Sequence, residues 1–143
     1  MGKTVFNPKG VFVPRGSYTQ VAVAKPGRLV FIAGTTASDP EGNLVGVGDA
    51  AAQARYVFTK IKLCVEAAGG TVEDIVSMTC FITDVRYYAA ANDARREVFG
   101  AVDLPASTMV QVAGLSRPEW LIEINATAVV PEASLKENHR KPA

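Results

Sequence analysis

Apolar and polar positions alternate or recur along this chain in a way that predicts strands around two helices. Gln20 to Ala24 and Arg28 to Gly34 read as strands on either side of Lys25-Pro26-Gly27. There proline presets φ and glycine tolerates a positive φ, so a hairpin is predicted. Asp39-Pro40-Glu41-Gly42-Asn43 reads as a second turn. Asp49 is a good N-cap, and Ala54, Val57, Phe58, Ile61, Cys64, Val65 and Ala68 follow it at helical spacing. Gly69-Gly70 ends that helix, and Thr71 to Asp74 caps a short turn. Ile75 to Thr83 then reads as a strand with Val76, Met78, Cys80 and Ile82 on one face and Ser77, Thr79, Phe81 and Thr83 on the other. Tyr88, Ala91, Asn92, Arg95 and Phe99 mark one face of a second helix that stops at Gly100, and Thr108 to Ala113 and Leu121 to Val130 are the last strands. The order is βββαβαββ, an α+β domain.

In the last strand Ile122, Ile124, Ala126, Ala128 and Val130 form a small apolar face suited to packing on the helices. The alternate set, Leu121, Glu123, Asn125, Thr127 and Val129, is semi-polar. Such a face either meets solvent or meets another subunit across a wet interface, and the pattern alone favours solvent.

Composition narrows the function classes. The 143 residues suit one domain, with residues 1–130 as the folded unit and 131–143 as a polar tail. A formal charge of +1 gives no field for nucleic acid or an anionic membrane, and no apolar run approaches the ~20 residues needed to span a bilayer. The N-terminus lacks the apolar core of a signal peptide, and Phe6 breaks the myristoylation pattern opened by Met1-Gly2. Cys64 and Cys80 each sit in an apolar periodic segment and read as reduced core residues of a cytoplasmic protein. The one histidine, His139, lies in the tail, where no fixed geometry would hold it as a base. Two separated cysteines and that histidine cannot assemble a metal site or a serine–histidine–aspartate triad. Gly42, Gly46 and Gly48 precede Asp49, whose charge repels phosphate, so no phosphate cradle is expected.

What remains is a hydrogen-bonding constellation. Tyr18 follows Gly16-Ser17, Gly34 ends an apolar strand, and Glu123 is a lone carboxylate within a strand. A partly buried glutamate without a partner has a raised pKa and suits proton transfer. The plainer alternative, that Glu123 pairs with an arginine or points to solvent, is favoured by the pattern alone.

At these residues the chain resembles the RidA/YjgF family of enamine and imine deaminases from Val5 to Val130. The matching stretches include Gly16 to Gln20, Leu29 to Gly34, Ala52 to Arg55, Val65 to Gly69, Asp74 to Val76, Phe81 to Asp84, Leu104 to Ala106 and Ile122 to Ile124. Their order and spacing together are specific. The resemblance implies a chorismate-mutase-like fold, a mixed sheet with two helices packed on one face, and a homotrimer with clefts between subunits. It implies hydrolysis of 2-aminoacrylate-type enamines and their imine tautomers to a 2-keto acid and ammonia, without metal or organic cofactor. Carried over by position, Glu123 would activate the attacking water and Tyr18 would line the cleft. Ala33, Gly34, Thr35, Asn92, Ser107, Thr108 and Met109 would contact the substrate.

One departure stands out. After Pro105-Ala106, where the family's deaminases carry an arginine that grips the substrate carboxylate, this chain has Ser107. A guanidinium makes two charge-assisted hydrogen bonds of roughly 1.5–3 kcal/mol each, and losing ~3 kcal/mol weakens binding about a hundredfold. Met109 and Ala33 also stand where more polar residues are frequent in the family. Arg15 and Arg117 are the replacements considered, with surface roles explaining both equally well. The expected activity is therefore a cofactor-independent Rid-type hydrolase that is inefficient on 2-aminoacrylate. The alternative is a non-catalytic trimer that binds a small metabolite in the same clefts. Nucleic-acid cleavage, a label some family members carry, has little support in a near-neutral chain.

Overall fold

The computed structural model describes residues 2–132. His139 and nearly all of the expected tail fall outside the described residues.

Six strands and two helices follow the expected order: β1 (Lys3–Phe6), β2 (Val21–Ala24), β3 (Arg28–Thr35), α1 (Ala50–Ala67), β4 (Ile75–Ile82), α2 (Tyr88–Phe99), β5 (Ala106–Gln111) and β6 (Ile122–Val130). A mixed four-stranded sheet has the order β3-β6-β4-β5, with β5 parallel to β4 and the other pairs antiparallel. The parallel pair is joined through α2, because two parallel strands need a crossover rather than a tight turn.

The start of α1 follows the sequence closely. Asp49 accepts a hydrogen bond from the Ala52 N–H at 3.0 Å, filling one of the donors a helix start leaves open. At the other end the Gly70 N–H reaches the Val65 carbonyl at 2.9 Å, and Gly69 takes φ +90°, which its missing Cβ allows. Val57, Phe58, Ile61 and Val65 face the sheet without exposure. They meet Met78, Cys80, Ile82, Ile122, Ile124, Ala126 and Ala128 from β4 and β6, and Ala91, Ala94 and Phe99 from α2. The rings of Phe58 and Phe99 pack edge to face at 5.4 Å.

Four expectations are corrected. Cys64, read as a core residue, is exposed on α1, while Cys80 is buried. The predicted hairpin does not form: β2 pairs with β1 in a separate two-stranded ribbon, and β3 pairs with β6. The Lys25 N–H donates to the Gly2 carbonyl at 2.8 Å, and a Cβ on Gly27 would stand 2.5 Å from the Val130 carbonyl oxygen. Lys25-Pro26-Gly27 thus steps the chain from the ribbon to the main sheet. In β4 a register shift between Ile75 and Ser77 puts Ile75, rather than Val76, on the buried face. Tyr88, predicted on the inner face of α2, is half exposed, whereas Ala94 is buried.

The second face of the sheet carries exposed apolar groups: Leu29 is 63% exposed, Phe31 74% and Val110 40%. No helix among the described residues is long and apolar enough to cross a membrane.

Candidate functional site

Side chains on β5 alternate between the two faces of the sheet, and β4 fixes which is which. Ser107 lies opposite Met78 and Met109 opposite Cys80, so both point to the helix side. On α2, Asn92 and Arg95 stand one turn apart and both are buried. Tyr18 arrives from the loop before β2. That loop is held by the Thr19 N–H on the Pro105 carbonyl at 3.1 Å and by Arg95 Nη1 on the Ser17 carbonyl at 2.6 Å. Arg96 Nη1 adds a bond to the Gly16 carbonyl at 3.2 Å. Tyr18, Tyr88, Asn92, Arg95, Ser107 and Met109, with Ser17, enclose a cavity of about 200 Å³. A wider hollow of about 370 Å³ adjoins it towards Phe12 and Arg15.

Glu123 is on the other side. It lies opposite Phe81, three residues along β4 from Met78, and therefore on the face away from the helices. Beside it, β3 inserts an extra residue between Ile32 and Thr35, which places Ala33 and Gly34 at a bulge. Gly34 sits directly against the Glu123 carboxylate, where a Cβ would collide with Oε2. Any Cβ here would push the carboxylate aside, so the glycine leaves Glu123 its position rather than relieving the backbone. Thr35 is buried, its hydroxyl donating to the Ala33 carbonyl at 3.0 Å. Thr108 is exposed and lies opposite Thr79, on the same face as Glu123.

Eight of the nine sequence-predicted site residues thus fall into two groups within one protomer, while Thr35, paired with the buried Ile124, joins neither. Tyr18, Asn92, Ser107 and Met109 share a cavity on the helix side, while Glu123, Ala33, Gly34 and Thr108 lie on the opposite face. No lysine or arginine among the described residues forms an ion pair with Glu123. Neither arginine considered as a replacement lines the Ser107 cavity: Arg15 borders only the wider hollow, and Arg117 lies over the Trp120 ring at 5.5 Å.

Sequence reasoning missed Arg95 as a site residue. It was legible only as one mark of a helix face, yet it is 1% exposed and lines the cavity. Its Nη2 donates to Cys80 Sγ at 3.2 Å, and its charge stands 5.6 Å from the Phe58 ring centre. Burial pushes the Cys80 thiol above its ordinary pKa, against the opposing pull of Arg95 and of hydrogen bonds from Arg95 and Ser107. The thiol is accordingly neutral near pH 7. Among the described residues no cluster of three or more histidine, cysteine, aspartate or glutamate side chains is arranged to hold a metal.

The sequence profile of the family described as endoribonuclease L-PSP matches residues 10–130. Among solved structures, YyfB of Yersinia pestis, a protein of unknown function of the conserved Rid protein family, is 30% identical. The alignment covers 91% of this chain and 100% of that one, with a TM-score of 0.84. Rv2704 of Mycobacterium tuberculosis, a member of the YjgF/YER057c/UK114 family, is also 30% identical over 90% of this chain and 99% of its own, with a TM-score of 0.61. YEO7 of yeast is 26% identical over 90% and 98% of the two chains, with a TM-score of 0.66. Two helices on one face of a mixed sheet, in this strand order, make the chorismate-mutase-like fold. With the profile spanning most of its length and these relatives aligned almost end to end, the chain belongs to the Rid/YjgF family.

Proposed function

We propose that this protein is a cofactor-independent hydrolase of the Rid type, acting on an enamine, imine or related small metabolite in a cleft between neighbouring copies of a homotrimer. The observation that carries the reading is the division of the candidate residues between two faces of one sheet. A single protomer cannot bring Glu123 to Tyr18 and Ser107, whereas adjacent copies could each contribute one face. The exposed Leu29, Phe31 and Val110 give the outer face apolar surface to bury in such an assembly. The functional unit is residues 1–130, with 131–143 as an appended tail. A cytoplasmic location accords with the free cysteines Cys64 and Cys80, and the charge of +1 argues against a nucleic-acid partner.

In the cleft, Glu123 takes a proton from water as its oxygen bonds to the imine carbon, giving a carbinolamine. The same carboxyl returns that proton to the imine nitrogen, completing the carbinolamine, and then carries the hydroxyl proton to the amine; the C–N bond breaks with its electron pair leaving on nitrogen as the C=O bond forms, and a carbonyl and ammonia result. Gly34 gives the carboxylate its room, and Tyr18, Asn92 and Met109 shape the opposing wall. With Ser107 in place of the family arginine, 2-aminoacrylate is a poor substrate and a larger or more apolar imine a better one. The same serine favours the second reading, a non-catalytic trimer that binds a small metabolite.

The test is complementation. Glu123→Gln and Tyr18→Phe variants are each assayed for ammonia release from imines, then unfolded together and refolded as a mixture. If each cleft takes Glu123 from one copy and Tyr18 from the next, random mixing restores about a quarter of wild-type turnover. Failure of the mixture to exceed its parents would exclude a shared cleft. Absence of turnover in wild type, with imine or keto-acid binding intact, would favour the binding reading.

A further inference from the structure

We propose that Arg95 is the anion-holding group of the Ser107 cavity, so that a small carboxylate ligand is gripped from α2 rather than from β5. This rests on the reading of that cavity as half of a ligand cleft. Four observations point to it. Arg95 is 1% exposed, yet no carboxylate among the described residues pairs with it. Of the two acidic residues on α2, Asp93 is 71% exposed and bound by Arg96 Nη2 at 2.6 Å, and Glu97 is exposed. The partners it does have are neutral: the Ser17 carbonyl on Nη1 and the protonated Cys80 thiol on Nη2. Its Nε–H has no hydrogen-bond partner among the described residues.

A buried cation without a counter-charge is expensive, and a native protein supplies the missing charge from somewhere. Here the described residues do not, and Arg95 borders a cavity of about 200 Å³. Its position is fixed by the Phe58 ring beneath it and the Ser17 carbonyl, so little ordering remains to oppose binding. Ser107 and Cys80 flank it with a hydroxyl and a thiol, neither of which carries charge. A carboxylate entering beside Ser107 would meet a preset donor set and complete the charge balance. The cavity has room for the carboxylate end of a 2-keto acid, and the adjoining hollow of about 370 Å³ leaves space for a larger substituent. The cation therefore comes from α2 and not from position 107 of β5, where the resemblance placed it. A ligand held there presents its reacting carbon differently, so anion binding at Arg95 and poor turnover of 2-aminoacrylate are compatible.

The experiment titrates full-length protein with pyruvate and with pyruvamide, its uncharged counterpart, by calorimetry. Wild type is expected to prefer pyruvate by about tenfold or more, the difference a charge-assisted pair makes. Arg95→Met should lose that preference and Arg95→Lys should keep a weaker one. Should Arg95→Met fail to fold, Ser107→Asp replaces it: an internal carboxylate would occupy the guanidinium, abolishing pyruvate binding while pyruvamide still binds. Wild type indifferent between the two probes, or binding neither, overturns the proposal, as does an undiminished preference in folded Arg95→Met or in Ser107→Asp. If indifference gives way to a pyruvate preference in Glu123→Gln, the counter-charge is Glu123 of a neighbouring copy and not a ligand. Imine turnover measured on the same preparations separates the two ideas. Turnover without anion preference sinks the Arg95 proposal alone, and an Arg95-dependent preference without turnover sinks the catalytic reading alone.

Discussion

Phe31→Glu probes whether the outer sheet face joins copies of this chain. Phe31 is 74% exposed in the protomer and Leu29, two residues before it on the same strand face, is 63% exposed. Fully burying a side chain of this size contributes about 1.5–3 kcal/mol, so covering the exposed part of Phe31 contributes ~1–2 kcal/mol per copy. Glutamate removes that and adds a carboxylate whose desolvation costs several kcal/mol if the interface holds it dry. Taking ~3 kcal/mol per copy as a cautious sum, a trimer loses roughly 9 kcal/mol, and its dissociation constant rises by about six decades. For a monomer–trimer equilibrium the midpoint concentration follows the square root, a shift of about three decades. Sedimentation velocity over nanomolar to high micromolar protein reads this directly. The wild type should sediment as a trimer and Phe31→Glu as a monomer, with unchanged far-UV dichroism because position 31 is exposed in the protomer. A variant that stays trimeric at the wild-type midpoint would show that this face is not the interface. A monomeric wild type would remove the shared cleft altogether.

Three further outcomes are expected. Gly34→Ala should displace the Glu123 carboxylate and lower imine turnover by about a hundredfold, the scale of a misplacement of roughly 1 Å, while the fold persists; steady-state kinetics beside a melting curve checks this. Ser107→Arg should raise pyruvate affinity by about tenfold rather than the hundredfold of an isolated fork, because the new guanidinium enters a pocket already holding Arg95; calorimetry reads the gain. Cys64 is exposed and should be alkylated by iodoacetamide, whereas Cys80 should resist. Its raised pKa leaves little thiolate at pH 8, and protection should fade only as pH climbs above the ordinary thiol value; peptide mass spectrometry across a pH series distinguishes the two sites.

The elements most legible in the sequence are those whose signals are local. The Asp49 cap and the spacing from Ala54 to Ala68 define α1, and the alternation from Ile122 to Val130 defines which side of β6 is buried. The turn at Asp39 to Asn43 closes as its residues require, with Asp39 Oδ1 accepting from the Asn43 N–H at 2.8 Å. What was not legible depends on distant partners. A Pro-Gly turn signal at Pro26-Gly27 is the same whether the two strands pair with each other or with other strands, and here Gly2 and Val130 decide it. The bulge that turns Ile75 inward arises from pairing with Ala128, which no local pattern reports. Arg95 was hidden for the same reason. A charged residue on a helix face is ordinarily a margin, and only the Ser17 carbonyl, 78 residues away in sequence, reveals that this one is enclosed.

The division of the candidate site follows from one property of β4. That strand pairs with β5 on one side and β6 on the other, so it carries a common count for both. Ser107 is matched to Met78 and Glu123 to Phe81. Three residues separate those two positions, an odd number, and odd spacing on a strand means opposite faces. No rotamer change or loop movement can alter that parity; a one-residue slip of β6 would turn Ile122, Ile124 and Ala126 out of the core, and a slip of β5 would turn Ser107 and Met109 away from the helix-side cavity. Burial of those three side chains, each at 4% exposure or less, therefore holds Glu123 away from the Ser107 cavity within its own protomer. Chemistry that used both groups would be chemistry between copies, and the hydrophobic core that makes the fold is what would call for the second copy.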